Sequence, residues 1–296
     1  MNHKIFSYYQ NFKVFFTFLL FWIGIQFGEI IEDSIAFFLV ITVGVIHGAN
    51  DLLILSKTDL NRKKIFFKNL LIYLFLISLC VSFFFFNAFL AIIMFIVISS
   101  YHFGEEHNSN KIRTRNKLDK LYYINYGLII FGMLFYNSKP QLKTIMVDLT
   151  GTYLNSNIIK TTLIVNIIIF ILLHIYFKLN KKILLKETLE EVFYIMFLFL
   201  VFKTTSLIFG FAIYFILWHS LPSILNQVLF LSGEVNKTTL LKFIKKAFLY
   251  WLISASSILI LYIFTPNIKL FSSSLFVILF SVTVPHMWVM SRMKFI

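Results

Sequence analysis

The chain reads as an all-α fold, a polytopic membrane helix bundle of about ten transmembrane helices, and three observations predict it. Hydrophobic residues make up 59% of the sequence and charged residues only 14%, a composition that belongs with membrane proteins rather than soluble domains. Apolar runs of spanning length recur from one end to the other, and the basic residues gather in the short stretches between them. The longest polar stretch, Gly104 to Lys120, is too short to form a core of its own. The expectation is one integral membrane domain over residues 1–296.

A helix of about 20 apolar residues crosses the hydrocarbon core, with shorter ones tolerated where they tilt or are buried. Runs near that length lie at about 12–28, 35–55, 66–86, 88–104, 121–137, 158–177, 187–203, 205–231, 246–264 and 270–291. No small-residue cleavage site follows the first run, which therefore reads as a retained helix rather than a signal peptide. Orientation alternates with each span, so Lys and Arg should alternate with it. With the N-terminus in the cytoplasm, that side collects Lys4, Lys13, Lys57, Arg62, Lys63, Lys64, Lys68, Lys111, Arg113, Arg115, Lys117 and Lys120. Lys178, Lys181, Lys182, Lys186, Lys237, Lys242, Lys245, Lys246, Arg292 and Lys294 join them. The other side keeps Lys139, Lys143, Lys160, Lys203 and Lys269, with an acidic loop of Glu29, Glu32 and Asp33. Both termini are thus expected in the cytoplasm and the protein in the cell (inner) membrane. The same asymmetry accounts for the formal charge of +14 without a nucleic-acid partner.

Between Asn137 and Asn157 runs the one long external connection, where Leu142, Ile145, Met146 and Leu149 share a helical face and Pro140 suits a first turn. That pattern predicts an interfacial helix. The single cysteine, Cys80, lies in an apolar run and leaves no intrachain disulfide and no cysteine metal site.

Against this apolar background the stretch Gly44-Val45-Ile46-His47-Gly48-Ala49-Asn50-Asp51 is costly. An ionisable group at the centre of a spanning helix costs roughly 2.5 to 3.5 kcal/mol on insertion scales, which marks it as a functional candidate. On a continuous helix His47 and Asp51 stand one turn apart, where the carboxylate takes the imidazole N–H and fixes the nitrogen left to ligate. The alternative is a His–Asp pair that satisfies itself in a polytopic core. Gly44, Gly48 and Ala49 allow another helix to approach closely.

Position sorts the seven histidines. His3 is terminal, His107 falls in the polar loop and His174 sits beside Lys178, so these three read as solvated or interfacial. His47, His102, His219 and His286 fall on spans two, four, eight and ten, all running from outside to inside, and all lie in the inner half of the bilayer. They can meet at one depth. Imidazole nitrogens from several helices suit Zn, Cu or Fe, and the lack of thiolates favours a redox metal over a structural zinc. The bland alternative is a set of polar contacts between helices. Four residues onward stand Asp51, Glu106 and Ser223 as hydrogen-bond acceptors behind the first three histidines, while Met290 breaks the pattern after His286. Pro285 directly precedes His286 and Pro222 stands three residues after His219; Pro222 is expected to kink its helix and free backbone carbonyls.

These stretches resemble the Brp/Blh family of integral-membrane bacterial and archaeal β-carotene 15,15′-dioxygenases. The resemblance rests on the histidine-glycine-alanine stretch ending in Asp51, on His-Phe-Gly at 102–104, Trp-His-Ser at 218–220 and Pro-His at 285–286. It implies a multi-helix bundle holding a histidine-ligated Fe(2+), which cleaves the central double bond of β-carotene with O2 into two molecules of retinal. Retinal of this origin often serves a bacterial rhodopsin. Family members carry a second histidine four residues after the one matched by His219; here that position is Ser223. The resemblance leaves three arrangements: iron on His47, His102, His219 and His286; a three-histidine site with water in the gap; or a site with another metal or without activity. With iron in place, Asp51 and Glu106 would orient His47 and His102 rather than act as bases. Tyr101, Phe103 and Trp218 are the nearest aromatics by sequence to line a tunnel entered from membrane lipid. Two further classes stand beside this one: a His/Asp proton-coupled transporter, and a non-catalytic carotenoid- or retinal-binding membrane protein. A di-iron desaturase needs a clustered histidine box that the sequence lacks.

Overall fold

A computed structural model of the chain describes residues 2–57, 62–109, 111–112, 117–180, 183–264 and 268–293. Every regular element among them is helical. In order these are α1 (Asn2–Gln26), α2 (Glu29–Lys57), α3 (Arg62–Phe86), α4 (Ala88–Asn108) and α5 (Lys117–Asn137). There follow α6 (Lys139–Thr150), α7 (Ser156–Leu179), α8 (Leu185–Thr204), α9 (Leu207–Ser232), α10 (Lys237–Phe264) and α11 (Ile268–Arg292).

Six helices among the described residues, on α2, α3, α4, α7, α9 and α10, are long and apolar enough to cross a membrane. Of the other four expected spans, those on α1, α5 and α8, of 25, 21 and 20 residues, fall short of that mark, and on α11 the described stretch Phe276–Arg292 is an apolar helix. Helix α5 shows why length and apolarity need not go together. Its Tyr122, Asn125 and Tyr126 are buried against other helices, so polar groups there meet protein instead of lipid. Outward faces are apolar: Phe85 on α3, Leu172 on α7 and Phe264 on α10 are exposed, as a lipid-facing surface requires.

The tightest crossing joins α4 to α5. A Cβ on Gly104 would sit 1.9 Å from the Tyr123 carbonyl oxygen, and one on Gly127 would sit 2.1 Å from that of Ser100. Only glycine at both points lets the two backbones touch, and this contact fixes the helix that carries His102. A helix stands at the expected place as α6, with Pro140 in its first turn and Leu142, Ile145 and Met146 buried. Glu29, Glu32 and Asp33, expected in a loop, instead form the first turns of α2. There Glu32 Oε2 accepts from the Ser206 N–H at 2.5 Å and Asp33 Oδ1 from the Ser206 hydroxyl at 2.6 Å. These bonds anchor the start of α9, a place where the helix dipole welcomes negative charge.

Candidate metal centre

Two local departures from α-helical pitch shape the site. Helix α2 passes through a π segment at Val40–Gly44 before the α-helical turn Val45–Ala49 that carries His47. Helix α9 passes through another at Tyr214–Ser220, which contains His219. A π turn inserts one residue, shifts the register of all that follows, and recurs at functional sites. The two segments face each other: a Cβ on Gly44 would meet the Phe215 ring at 2.9 Å. Carbonyls that such turns expose find donors on neighbouring helices, as when Trp251 Nε1 of α10 donates to the Ile41 oxygen at 2.9 Å.

His47, His102, His219 and His286 converge. Each offers one ring nitrogen, and the four nitrogens all lie within 4.8 Å of one another. All four residues are buried, at 5% exposure or less. Two imidazole nitrogens about 2.1 Å from a shared ion reach at most about 4.2 Å from each other, so the cluster is close to the size a metal needs. The ring centroids of His47 and His286 are 4.4 Å apart, and those of His102 and His219 are 4.6 Å apart. Nε2 of His47, Nε2 of His286 and Nδ1 of His219 are buried without a hydrogen-bond partner. Buried nitrogens left without a proton partner are costly in a core and natural in a ligand. The residues present therefore form a cluster able to hold a metal ion.

The carboxylate behind the cluster serves a different ring from the one expected. His286 Nδ1 lies 2.9 Å from Asp51 Oδ1 and 3.0 Å from Oδ2, and Tyr73 donates its hydroxyl to Oδ2 at 2.9 Å. A carboxylate only accepts, so Nδ1 of His286 carries the proton and Nε2 keeps its lone pair for the cluster. Asp51 does not bond His47, because the one-turn relation needs an unbroken helix. The helix stops at Ala49, Asn50 adopts φ −99° and ψ 10°, and a new helix begins at Asp51. Asn50 uses the break to donate to the Phe243 carbonyl at 3.1 Å.

Behind His47 stands Gln227, fully buried, whose Nε2 donates to the His47 carbonyl at 3.0 Å and lies 3.4 Å from Nδ1. Its place two turns after His219 on α9 was a signal: an amide pair, Asn226-Gln227, in an otherwise apolar helix. Glu106 Oε1 accepts from Asn226 Nδ2 at 2.7 Å, tying α4 to α9 beyond the histidines. Ser223 is buried at 1% exposure and makes no hydrogen bond to His219. Of the aromatics expected near the site, Phe103 packs on His219 at 4.5 Å between ring centroids. Trp218 faces the other way, toward Lys13 and Tyr194, and Tyr101 donates to Glu105 at 2.7 Å. Phe215, not foreseen, stacks on His219 at 5.7 Å and stands edge-on to His47 at 6.4 Å.

His107 is a correction too. It sits on α4, which continues to Asn108, and its side chain is only 5% exposed, with Nε2 3.0 Å from Glu191 Oε2. Lys111 reaches the same oxygen at 2.7 Å, and Tyr126 stacks on the His107 ring at 4.8 Å. His174 bonds Tyr122 at 2.9 Å and Thr188 at 3.0 Å. The side chain of His3 lies outside the described residues.

Fold and site together define a helical membrane protein with a buried four-histidine centre. The chain belongs to the beta-carotene 15,15′-dioxygenase family, whose model matches residues 38–294. No curated protein and no solved structure matches it.

Proposed function

We propose that the chain is an iron-dependent dioxygenase that cleaves the central double bond of β-carotene with O2 to give two molecules of retinal. The observation that carries this reading is the convergence of four histidine nitrogens within 4.8 Å in a member of this family. His47, His102, His219 and His286 would hold the ion; with Ser223 where relatives of the resembling family have histidine, His286 supplies the fourth nitrogen. Bound Fe(2+) would supply the capacity to bind O2 and donate electron density to it.

The chain's own residues account for the rest. Asp51, itself held by Tyr73, keeps the proton of His286 on Nδ1. Gln227 steadies the backbone at His47. Phe103 and Phe215 press on His219 and present apolar faces beside the cluster, with Phe131 stacked on Phe103 at 5.6 Å and Phe211 on Phe215 at 5.4 Å. Such walls suit a rigid apolar polyene and keep water out, and catalysis then depends on positioning the double bond. Ten spans with both termini in the cytoplasm would place this centre in the inner half of the bilayer, where a carotenoid arrives laterally from lipid. The cell membrane is the expected location and a retinal-binding rhodopsin a natural recipient of the product.

Expression in a β-carotene-producing bacterium tests the proposal. The expected outcome is loss of orange colour and retinal in the extract. Undiminished colour and no retinal, with the protein present in the membrane, would overturn it.

A further inference from the structure

We propose that α1 is a positioning element for His219, acting through Tyr9, Lys13 and Thr17; the inference rests on reading the four histidines as a metal centre. These three residues follow one another at intervals of four and so share one face of α1. All are buried, at 8%, 3% and 0% exposure. They grip the two residues before His219.

The grip answers a defect in the π segment of α9. Leu221 donates its N–H to the Ile216 carbonyl, a five-residue pitch. On that pitch the next carbonyl, Leu217, needs the N–H of residue 222, which is proline and has none. Tyr9 donates its hydroxyl to the Leu217 oxygen and supplies the missing donor. One turn along α1, the Lys13 ammonium lies 4.1 Å from the centre of the Trp218 ring and 4.5 Å from that of Tyr194. A turn further, Thr17 Oγ1 accepts from Trp218 Nε1 at 3.1 Å while donating to the Lys13 carbonyl at 2.7 Å.

A π segment relaxes to α pitch by losing one residue of register, which turns the following side chain by about 100° about the helix axis. Relaxed in that way, Leu217 would bond within its own helix, Trp218 would leave Thr17 and Lys13, and His219 would leave the cluster. The α1 face stabilises the π register against this slip. Helix α1 precedes residue 38, where the family match begins, so the brace lies outside the stretch that the match describes.

The test uses the full-length protein in detergent with Co(II) as the probe, read by its visible absorption and by titration. Tyr9→Phe and Thr17→Val are expected to change the Co(II) spectrum and to weaken Co(II) binding about 10–100-fold. Thr17→Ser, which keeps the acceptor, should restore both. Phe16→Ala, which removes the Phe12–Phe16 ring contact on α1 and keeps the Tyr9, Lys13 and Thr17 contacts, should lower the melting temperature and leave the spectrum unchanged. Tyr9→Phe and Thr17→Val proteins with the parent spectrum and affinity would overturn the brace. A parent protein that takes up no Co(II) would instead overturn the metal reading beneath it.

Discussion

Asp51 gives its carboxylate to His286, 235 positions along the chain, and not to His47 one turn before it. The first and last elements of the candidate centre are thereby closed into one unit. Replacing Asp51 by alanine should weaken metal binding about 10–100-fold, the usual effect of losing the group that orients a ligating histidine. Chelator competition on the purified protein measures it, and an unchanged affinity would count against the role.

His286 and Ser223 should behave oppositely. His286→Ala is expected to strip most of the iron from the purified protein, whereas Ser223→Ala, at a side chain with no bond to His219, should keep it. Elemental analysis decides. Iron that survives His286→Ala unchanged would refute the four-ligand assignment even with retinal production intact.

Close approach of α4 and α5 makes Gly127 intolerant. A methyl there meets the Ser100 carbonyl at 2.1 Å, so backbone must move. Gly127→Ala should cost about 1–3 kcal/mol or more in stability and displace His102, lowering the melting temperature and the metal content together. Gly28→Ala, with nothing within 4 Å of the added methyl, should do neither.

Glu191 holds His107 and Lys111 inside the bundle, with its own side chain 3% exposed. Removing one partner of a buried ion pair costs about 3–5 kcal/mol, because the other charge remains without compensation. Glu191→Gln should therefore lower the melting temperature by several degrees while the Co(II) spectrum of the folded fraction stays that of the parent. A melting temperature equal to the parent's would show the pair to be energetically idle.

Much of the site was legible because it depends on one-dimensional facts. Apolar run lengths and the alternation of basic residues separate the helices, and His47, His102, His219 and His286 fall on four different ones. The amphipathic pattern around Leu142 and Met146 located α6 for the same reason. What periodicity could not reveal were its own interruptions. Counting four residues from His47 to Asp51 assumes regular α pitch, and the chain abandons that pitch at Val40–Gly44, at Asn50 and at Tyr214–Ser220. Each interruption rotates the following side chains, which is why Trp218 turned outward to Lys13 and Phe215 took a place by the histidines. His107 looked solvated because the helix that buries it against Glu191 lies 84 residues away.

By itself, the sequence determined an all-helical membrane chain, its four buried histidines and the family they point to, since hydropathy and residue type act locally and need no partner. Only the tertiary structure decided which carboxylate serves which ring, and how α1 meets a carbonyl that Pro222 leaves without a donor. Those pairings follow from the register of π turns and from helices packed side by side, and both are properties of contact between segments far apart in the chain.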